Sequence, residues 1–240
     1  EYCQRWLDEN RPPPTKVPLP QNAYEVTYHE HRTYLSDWQA KCYEAQLIGT
    51  DVDKAYGGHG HTEFQAIASA EVRKARVPYF INWIGLGMTA PTLLVHGTEE
   101  QKKRFLPPIF SAEEIWCQGF SEPGAGSDLV SLQTSAVKDG DNWIINGSKV
   151  WTSLGAISSW MLLLARNDKG DKYNGITYFL ADMAQEGMTV RPIHKMTGES
   201  GFNEVFMENL VIPDHHRVDE VGAGWKVAMS TLTSERGAAA

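Results

Sequence analysis

The feature that most constrains this chain is a change of hydrophobic period near residue 112. Before it, apolar residues recur at three- and four-residue steps. After it they come in short runs broken by Gly, Asp and Asn, with no helical pattern between the runs. The first spacing lines one face of a helix; the second makes strands joined by turns. A fold of alternating strands and helices is thereby excluded. The expectation is an α+β chain: an N-terminal helical domain over 1–112, a central β-barrel or sandwich domain over 113–218, and the beginning of a C-terminal helical bundle over 219–240. Most of that bundle is expected to lie after Ala240.

Local signals refine this plan. Tyr24, Tyr28, His31, Leu35, Trp38 and Cys42 are expected on one helix face, and Phe64, Ile67, Ala68, Val72 and Ala75 on another. Residues 98–101, Thr-Glu-Glu-Gln, form a capping box, and the helix it opens is expected to stop at Pro107-Pro108. Residues 11–20 are too proline-rich for helix or central strand and read as an extended connector. Asn146-Gly147, between the runs 143–145 and 149–151, predicts a hairpin, because both residues tolerate positive φ. Further strands are expected at 161–165, 176–181, 188–193 and 205–212.

Composition narrows the function classes. A net charge of −8 speaks against an electrostatic nucleic-acid binder. No apolar run reaches 18 residues, so no membrane span is expected. Cys3, Cys42 and Cys117 are far apart and form no CxxC pair, which points to a reduced compartment: cytoplasm, or alternatively the mitochondrial matrix. The chain begins at Glu1, so a cleaved targeting segment would not be visible. His59 and His61 have no third ligand in pattern, and no metal site is expected. His215-His216 reads as a surface turn and Lys102-Lys103-Arg104 as a solvated helix face. Residues 85–90 match GxGxxA, yet no strand precedes them and Pro91 follows; they read as small residues at a close helix contact.

Two segments carry chemistry. SEPGAGSD, at 121–128, follows a strand candidate. Gly124 and Gly126 allow a tight turn whose N–H groups face outward, as in anion-binding nests, and Ser121 and Ser127 add hydroxyls. A plain surface turn and a phosphate loop both remain open for it. KVWTSLG, at 149–155, places Trp151 beside Thr152 and Ser153. A core aromatic is one reading; a flat wall with hydroxyl donors for a heteroaromatic ligand is the other.

The stretch from Gln118 through Asp128 resembles the signature of the acyl-CoA dehydrogenase family, and the stretch from Trp143 through Ser153 resembles its second flavin-contacting segment. DKAYGGHG and GTEEQKKRFLPPI are similar to its N-terminal domain, and FNEVFMENLVIPD to the end of its β domain. The likeness covers nearly the whole chain, in order. It implies FAD, held by Gln118, Phe120, Ser121, Gly126, Ser127, Trp151 and Ser153. Ser121 would lie near the pyrimidine side, Trp151 against the isoalloxazine, and Ser153 toward N5 and O4. Members often carry Thr at the positions of Ser121 and Ser153; the swap keeps the hydroxyl. Ser127 and Arg236 would contact the thioester substrate. The implied reaction is α,β-dehydrogenation of an acyl-CoA: a Glu takes the α proton, the β hydride goes to FAD N5, and the electrons pass to an electron-transfer flavoprotein. A place in lipid metabolism and a homo-oligomer, dimer or tetramer, come with it. Hydrogen bonds to the thioester oxygen would stabilise the developing enolate. Glu235, directly before Arg236, matches the base position of a minority of members; in many the base lies further on. The alternatives are an acyl-CoA oxidase and a non-catalytic FAD- or CoA-binding subunit of a hetero-oligomeric dehydrogenase.

Overall fold

The computed structural model describes residues 1–238, with side chains described through Glu235. Five helices come first: α1 (Tyr2–Glu9), α2 (His29–Glu44), α3 (Phe64–Ala75), α4 (Ala90–His96) and α5 (Glu99–Ser111). Residues 11–20 form neither helix nor strand. The buried face of α2 is His31, Leu35, Trp38, Gln39 and Cys42. Tyr24 and Tyr28 are not on it. The Asn22 side chain caps a separate short turn, Ala23–Glu25, and Val26 is extended, so α2 starts only at His29. The expected face of α3 divides: Ala68 is buried and Val72 and Ala75 pack against the core, whereas Phe64 and Ile67 are more than half exposed.

The capping box forms at the start of α5, with Gln101 N donating to Thr98 Oγ1 at 3.2 Å and Thr98 N to Gln101 Oε1 at 3.1 Å. The helix then runs through Pro107 and Pro108 to Ser111, further than the prolines suggest. Each proline removes one intrahelical N–H. Tertiary contacts outweigh that loss. Leu106, Ile109 and Phe110 are buried, and Gln39 Nε2 donates to the Ile109 and Phe110 carbonyls, both at 3.1 Å. Residues 85–89 form a π-helical turn leading into α4, with no strand before it. A Cβ on Gly85 would lie 2.5 Å from the Asn82 side chain, so this glycine serves a close contact.

Eight strands follow: β1 (Trp116–Gly119), β2 (Ser135–Asp139), β3 (Asn142–Ser153), β4 (Trp160–Arg166), β5 (Ile176–Asp182), β6 (Met188–Ile193), β7 (Phe202–Pro213) and β8 (Arg217–Val218). They form one sheet in the order β6-β7-β3-β2-β4-β5-β8, with β1 beside β4. Its two halves meet at a single parallel step, Ser135 opposite Arg166. There the sheet curls, and the halves face each other: the rings of Trp143 on β3 and Phe179 on β5 are 5.3 Å apart. The enclosed core includes Ile145, Met161, Leu163, Val205 and Met207. The other face, with Trp116, Trp160, Leu162 and Tyr178, packs into the helical core. A final helix, α6 (Gly224–Ala238), lies against β5, α4 and the π-helical turn.

The Asn146-Gly147 hairpin does not form. Both residues sit inside β3, which pairs with β7 on either side of a bulge between Ile145 and Gly147. Gly147 has φ of 153°, and a Cβ there would approach Thr134 Oγ1 to 2.5 Å. Asn146 Oδ1 accepts from Asn209 N across the bulge at 2.8 Å. The turn lies earlier, between β2 and β3, at Gly140 with φ of 56°.

Candidate functional site

The two signature segments lie side by side. β1 delivers Gln118 and Phe120 to the edge of the loop 121–128, and β3 ends at Ser153. Val150 N donates to Ser121 O at 2.9 Å, joining them directly. Phe120 is buried edge-on against Tyr178, so its ring belongs to the core. Gln118 and Ser121 are half-buried, as is Ser153. Gly126 and Ser127 are exposed.

Trp151 owes its placement to backbone geometry. A second bulge sets Val150 and Trp151 of β3 against Glu204 alone on β7. Trp151 takes the left-handed position, with φ of 60°. Bulges redirect side chains, and they occur beside functional sites. Here the indole is thrown outward: Trp151 is 58% exposed, touching Phe202 edge-on at 6.0 Å. The core-aromatic reading of this tryptophan is therefore wrong. Phe202 in turn stacks on Tyr24 at 6.2 Å, and Tyr24 meets Trp83 at 4.9 Å. That aromatic series ties the end of β3 to the helical domain.

Gly124 and Gly126 differ from the sequence reading. Neither has positive φ, and a Cβ on either meets no protein atom within 4 Å. The turn itself does not demand glycine. What the two glycines do is leave the backbone amides bare to an approaching group.

Sequence reasoning missed the interaction that anchors the loop. Glu122 and Lys149 form a buried ion pair at 2.8 Å, the lysine side chain fully covered. Glu122 also accepts from Gln133 N at 2.6 Å and Thr134 N at 2.9 Å, and Lys149 Nζ donates to Phe120 O at 3.2 Å. Burial pushes the Lys149 ammonium down to about 8, with the Glu122 carboxylate opposing. Burial pushes Glu122 upward, but Lys149 and the hydrogen-bond donors prevail and hold it below its ordinary value. A signal was present: Lys149 follows Trp143 and Ile145 at even spacing on one strand, an inward position. An inward lysine requires a buried partner.

Thr152 and Asn203 are buried opposite each other on β3 and β7. Asn203 Nδ2 donates to Thr152 O at 3.0 Å, yet Thr152 Oγ1 and Asn203 Oδ1 have no partner. Such orphaned groups are rare in folded proteins. Asn82 was missed as well. Its side chain bonds Ile109 O, Glu114 O and Trp116 N, and so fixes where β1 begins.

Glu235 lies on α6, half-buried, after Thr231, whose hydroxyl meets Thr92 Oγ1 at 2.8 Å and Tyr178 OH at 3.1 Å. The Arg236 side chain lies outside the described residues. His59 and His61 are each engaged, donating from Nε2 to Tyr43 O at 3.0 Å and Gln46 Oε1 at 2.9 Å. No cluster of three or more His, Cys, Asp or Glu suited to a metal ion occurs among the described residues. No described helix is long and apolar enough to cross a membrane. His216 is no free surface residue: its ring packs on Phe105 at 5.9 Å and Trp160 at 5.2 Å. Lys103 and Arg104 are exposed, as a solvated helix face requires, and both terminal nitrogens of Arg104 donate to Glu114.

Elsewhere, His96 Nδ1 donates to Asp219 Oδ2 at 3.0 Å, and its Nε2 lies 2.8 Å from Ser230 Oγ. The order resembles a hydrolase relay. Ser230, however, sits inside α6, where neighbouring amides are committed to helical bonds and none is free for an oxyanion. The relay braces α4 against α6. A cavity of about 810 Å³ adjoins it, lined by His96, Gln101, Arg104, His216 and Arg217 among others, and no residue of either signature segment lines it.

Residues 18–113 match the family described as acyl-CoA dehydrogenase, N-terminal domain, and residues 117–210 match acyl-CoA dehydrogenase, middle domain. The acyl-CoA dehydrogenase IpdE1 of Mycobacterium tuberculosis is 44% identical over 202 residues, covering 83% of this chain and 52% of that protein. A solved structure titled Tcur3481-Tcur3483 steroid ACAD superposes with a TM-score of 0.77 at 32% identity, over 90% of this chain and 55% of the other. The ChsE4-ChsE5 complex from Mycobacterium tuberculosis does so with a TM-score of 0.68 at 28% identity, over 87% of this chain and 61% of the other. The chain thus spans about half the length of IpdE1.

Proposed function

This chain belongs to the acyl-CoA dehydrogenase family, whose members depend on FAD, and from that premise we propose that it takes part in α,β-dehydrogenation of an acyl-CoA thioester. The observation that carries the reading is the direct joining of the two signature segments at Ser121 and Val150. The residues present fit a flat, phosphate-bearing cofactor. Trp151 is turned outward by a bulge, the amides at Gly124 and Gly126 are sterically open, and Thr152 Oγ1 is a buried hydroxyl without a partner.

When bound, FAD supplies a two-electron acceptor that amino-acid side chains lack. Gln118, Ser121, Gly126, Ser127, Trp151 and Ser153 would hold it, with Phe120 contributing backbone, since its ring is in the core. Ser127 and Arg236 would contact the CoA thioester. The α proton of a thioester is a weak acid, so removal needs a positioned carboxylate and donors to the thioester oxygen. Glu235 is the candidate base within this chain, matching the position used by a minority of members. The competing assignment places it in sequence after Ala240. The likeness to the structure titled a steroid ACAD favours a bulky, ring-bearing acyl group. Electrons would leave to an electron-transfer flavoprotein, from a homo-oligomer.

A second reading has its own support: the ChsE4-ChsE5 relative is a complex, and the steroid ACAD relative likewise pairs two names, Tcur3481 and Tcur3483. This chain would then be one partner of a hetero-oligomer, with the turnover site shared or held by the other. The test is anaerobic titration of the purified full-length protein with acyl-CoAs of differing bulk, following flavin absorbance. Bleaching by the protein alone supports the first reading. Bleaching only after a partner chain is added supports the second, and a protein that binds no flavin either alone or with a partner chain sinks both. Oxygen uptake without an added acceptor would identify an oxidase. Bleaching unaltered by Glu235→Gln would move the base elsewhere.

A further inference from the structure

We propose that the buried Glu122–Lys149 pair is a positioning device for the cofactor wall, holding the Ser121 loop and the Trp151 bulge in one arrangement. It rests on the FAD reading above and concerns two residues to which the family resemblance assigned no role.

The hydrogen bonds converge on one short piece of backbone. Lys149 Nζ reaches Phe120 O at 3.2 Å, on one side of Ser121. Val150 N reaches Ser121 O at 2.9 Å. Glu122, on the other side of Ser121, is held by Lys149 and by the amides of Gln133 and Thr134. Its own N and O exchange bonds with Ala125, at 2.9 and 3.0 Å, closing the start of the turn. Phe120, Ser121 and Glu122 are thus fixed in succession. Beyond Ala125, Gly126 and Ser127 are exposed, and the next hold comes at Asp128, whose O accepts from Ser131 N at 3.0 Å. The same lysine sits two residues before Trp151, immediately ahead of the bulge that turns the indole outward.

A single ion pair therefore couples the position of Ser121 to the position of Trp151. A hydrophobic contact could fill the same space, but it would not fix three backbone groups in direction. Fully buried ion pairs often contribute little net stability against a neutral replacement of similar volume, whereas removing one partner strands a charge. The pair should thus matter more to the geometry of the cofactor wall than to folding.

The experiment compares Glu122→Gln, Lys149→Met and the double variant in the full-length protein. Three readouts are taken: cofactor-free melting temperature, FAD dissociation constant, and the visible absorption envelope of bound FAD. Each single variant is expected to lower the melting temperature, by stranding the other charge. The double variant is expected to melt within a few degrees of the wild type, yet to bind FAD at least tenfold more weakly and with a less structured envelope. A purely structural pair would not separate these readouts. A double variant that binds FAD like the wild type overturns the proposal. So does a double variant that is unfolded without FAD, because the pair would then be holding the fold. Wild-type protein that binds no FAD instead defeats the functional reading, and this inference falls with it.

Discussion

Asn82 offers the sharpest test of how the fold positions the site. Its side chain is fully buried and joins three structural units. Nδ2 donates to Ile109 O at 3.0 Å and Glu114 O at 2.9 Å, and Oδ1 accepts from Trp116 N at 2.9 Å. Asn82→Ala removes all three. The losses are unequal. Ile109 O keeps its bond from Gln39, and Glu114 is half-buried, within reach of water. Trp116 N, in a fully buried residue at the first position of β1, bears the main loss. Stranding a buried backbone group costs about 1–3 kcal/mol, and each lost neutral bond about 1 kcal/mol. The expected destabilisation is about 2–4 kcal/mol, a large share of the roughly 5–15 kcal/mol typical of whole domains. Asn82→Asp keeps the acceptor for Trp116 N but turns a carboxylate oxygen toward two carbonyls. It should be worse than Ala at pH 7 and recover in part on acidification, when the protonated acid can donate. Urea unfolding of the cofactor-free protein, followed by tryptophan fluorescence, measures this. An Ala variant within roughly 0.5 kcal/mol of the wild type, the range of ordinary surface changes, would refute the reasoning.

The remaining predictions separate fold from function. Trp151→Gly should change cofactor-free stability by no more than about 1 kcal/mol, because glycine's relief of the left-handed backbone offsets the lost edge contact with Phe202; FAD affinity, measured by fluorescence quenching, should fall, and unchanged affinity would remove Trp151 from the site. Gly126→Ala should cost no cofactor-free stability, having space for its Cβ, but should weaken FAD binding by the same assay; a lower melting temperature without FAD would contradict that. His216 is pushed down to about 4 by burial and then by His215 and Arg104, so between about 4 and its ordinary 6.5 the unfolded chain binds more protons than the fold. Stability should therefore rise with pH across that window, and His216→Phe should flatten that part of the profile in melts taken from pH 4 to 7.

The change of period near residue 112 made the fold class readable, because alternation and helical spacing are properties of single elements. The errors came where one element's preference yielded to a neighbour. Asn146-Gly147 favours a turn in isolation, but β7 pairs on both sides of it, and the chain takes a bulge. Asp139-Gly140 carries a similar signal a few residues earlier, and there the turn does form. Pro107 and Pro108 weaken a helix locally, yet Gln39 and Asn82, distant in sequence, hold its end in place.

The site divides along the same line. SEPGAGSD and KVWTS were legible as segments because each is contiguous. What joins them was not, because Glu122 and Lys149 are 27 residues apart and neither is unusual alone. The bulge that turns Trp151 outward was hidden for a related reason: it depends on two β3 residues facing one on β7, a relation between strands. Even so, period-two spacing placed Lys149 on the inward face with Trp143 and Ile145. A lysine there is a demand for a buried carboxylate, and Glu122, inside the loop already singled out by its glycines, is the one that meets it. An inward charge on a strand is thus a long-range constraint written in local sequence, and in this chain it links the two segments that the glycine and tryptophan patterns leave separate.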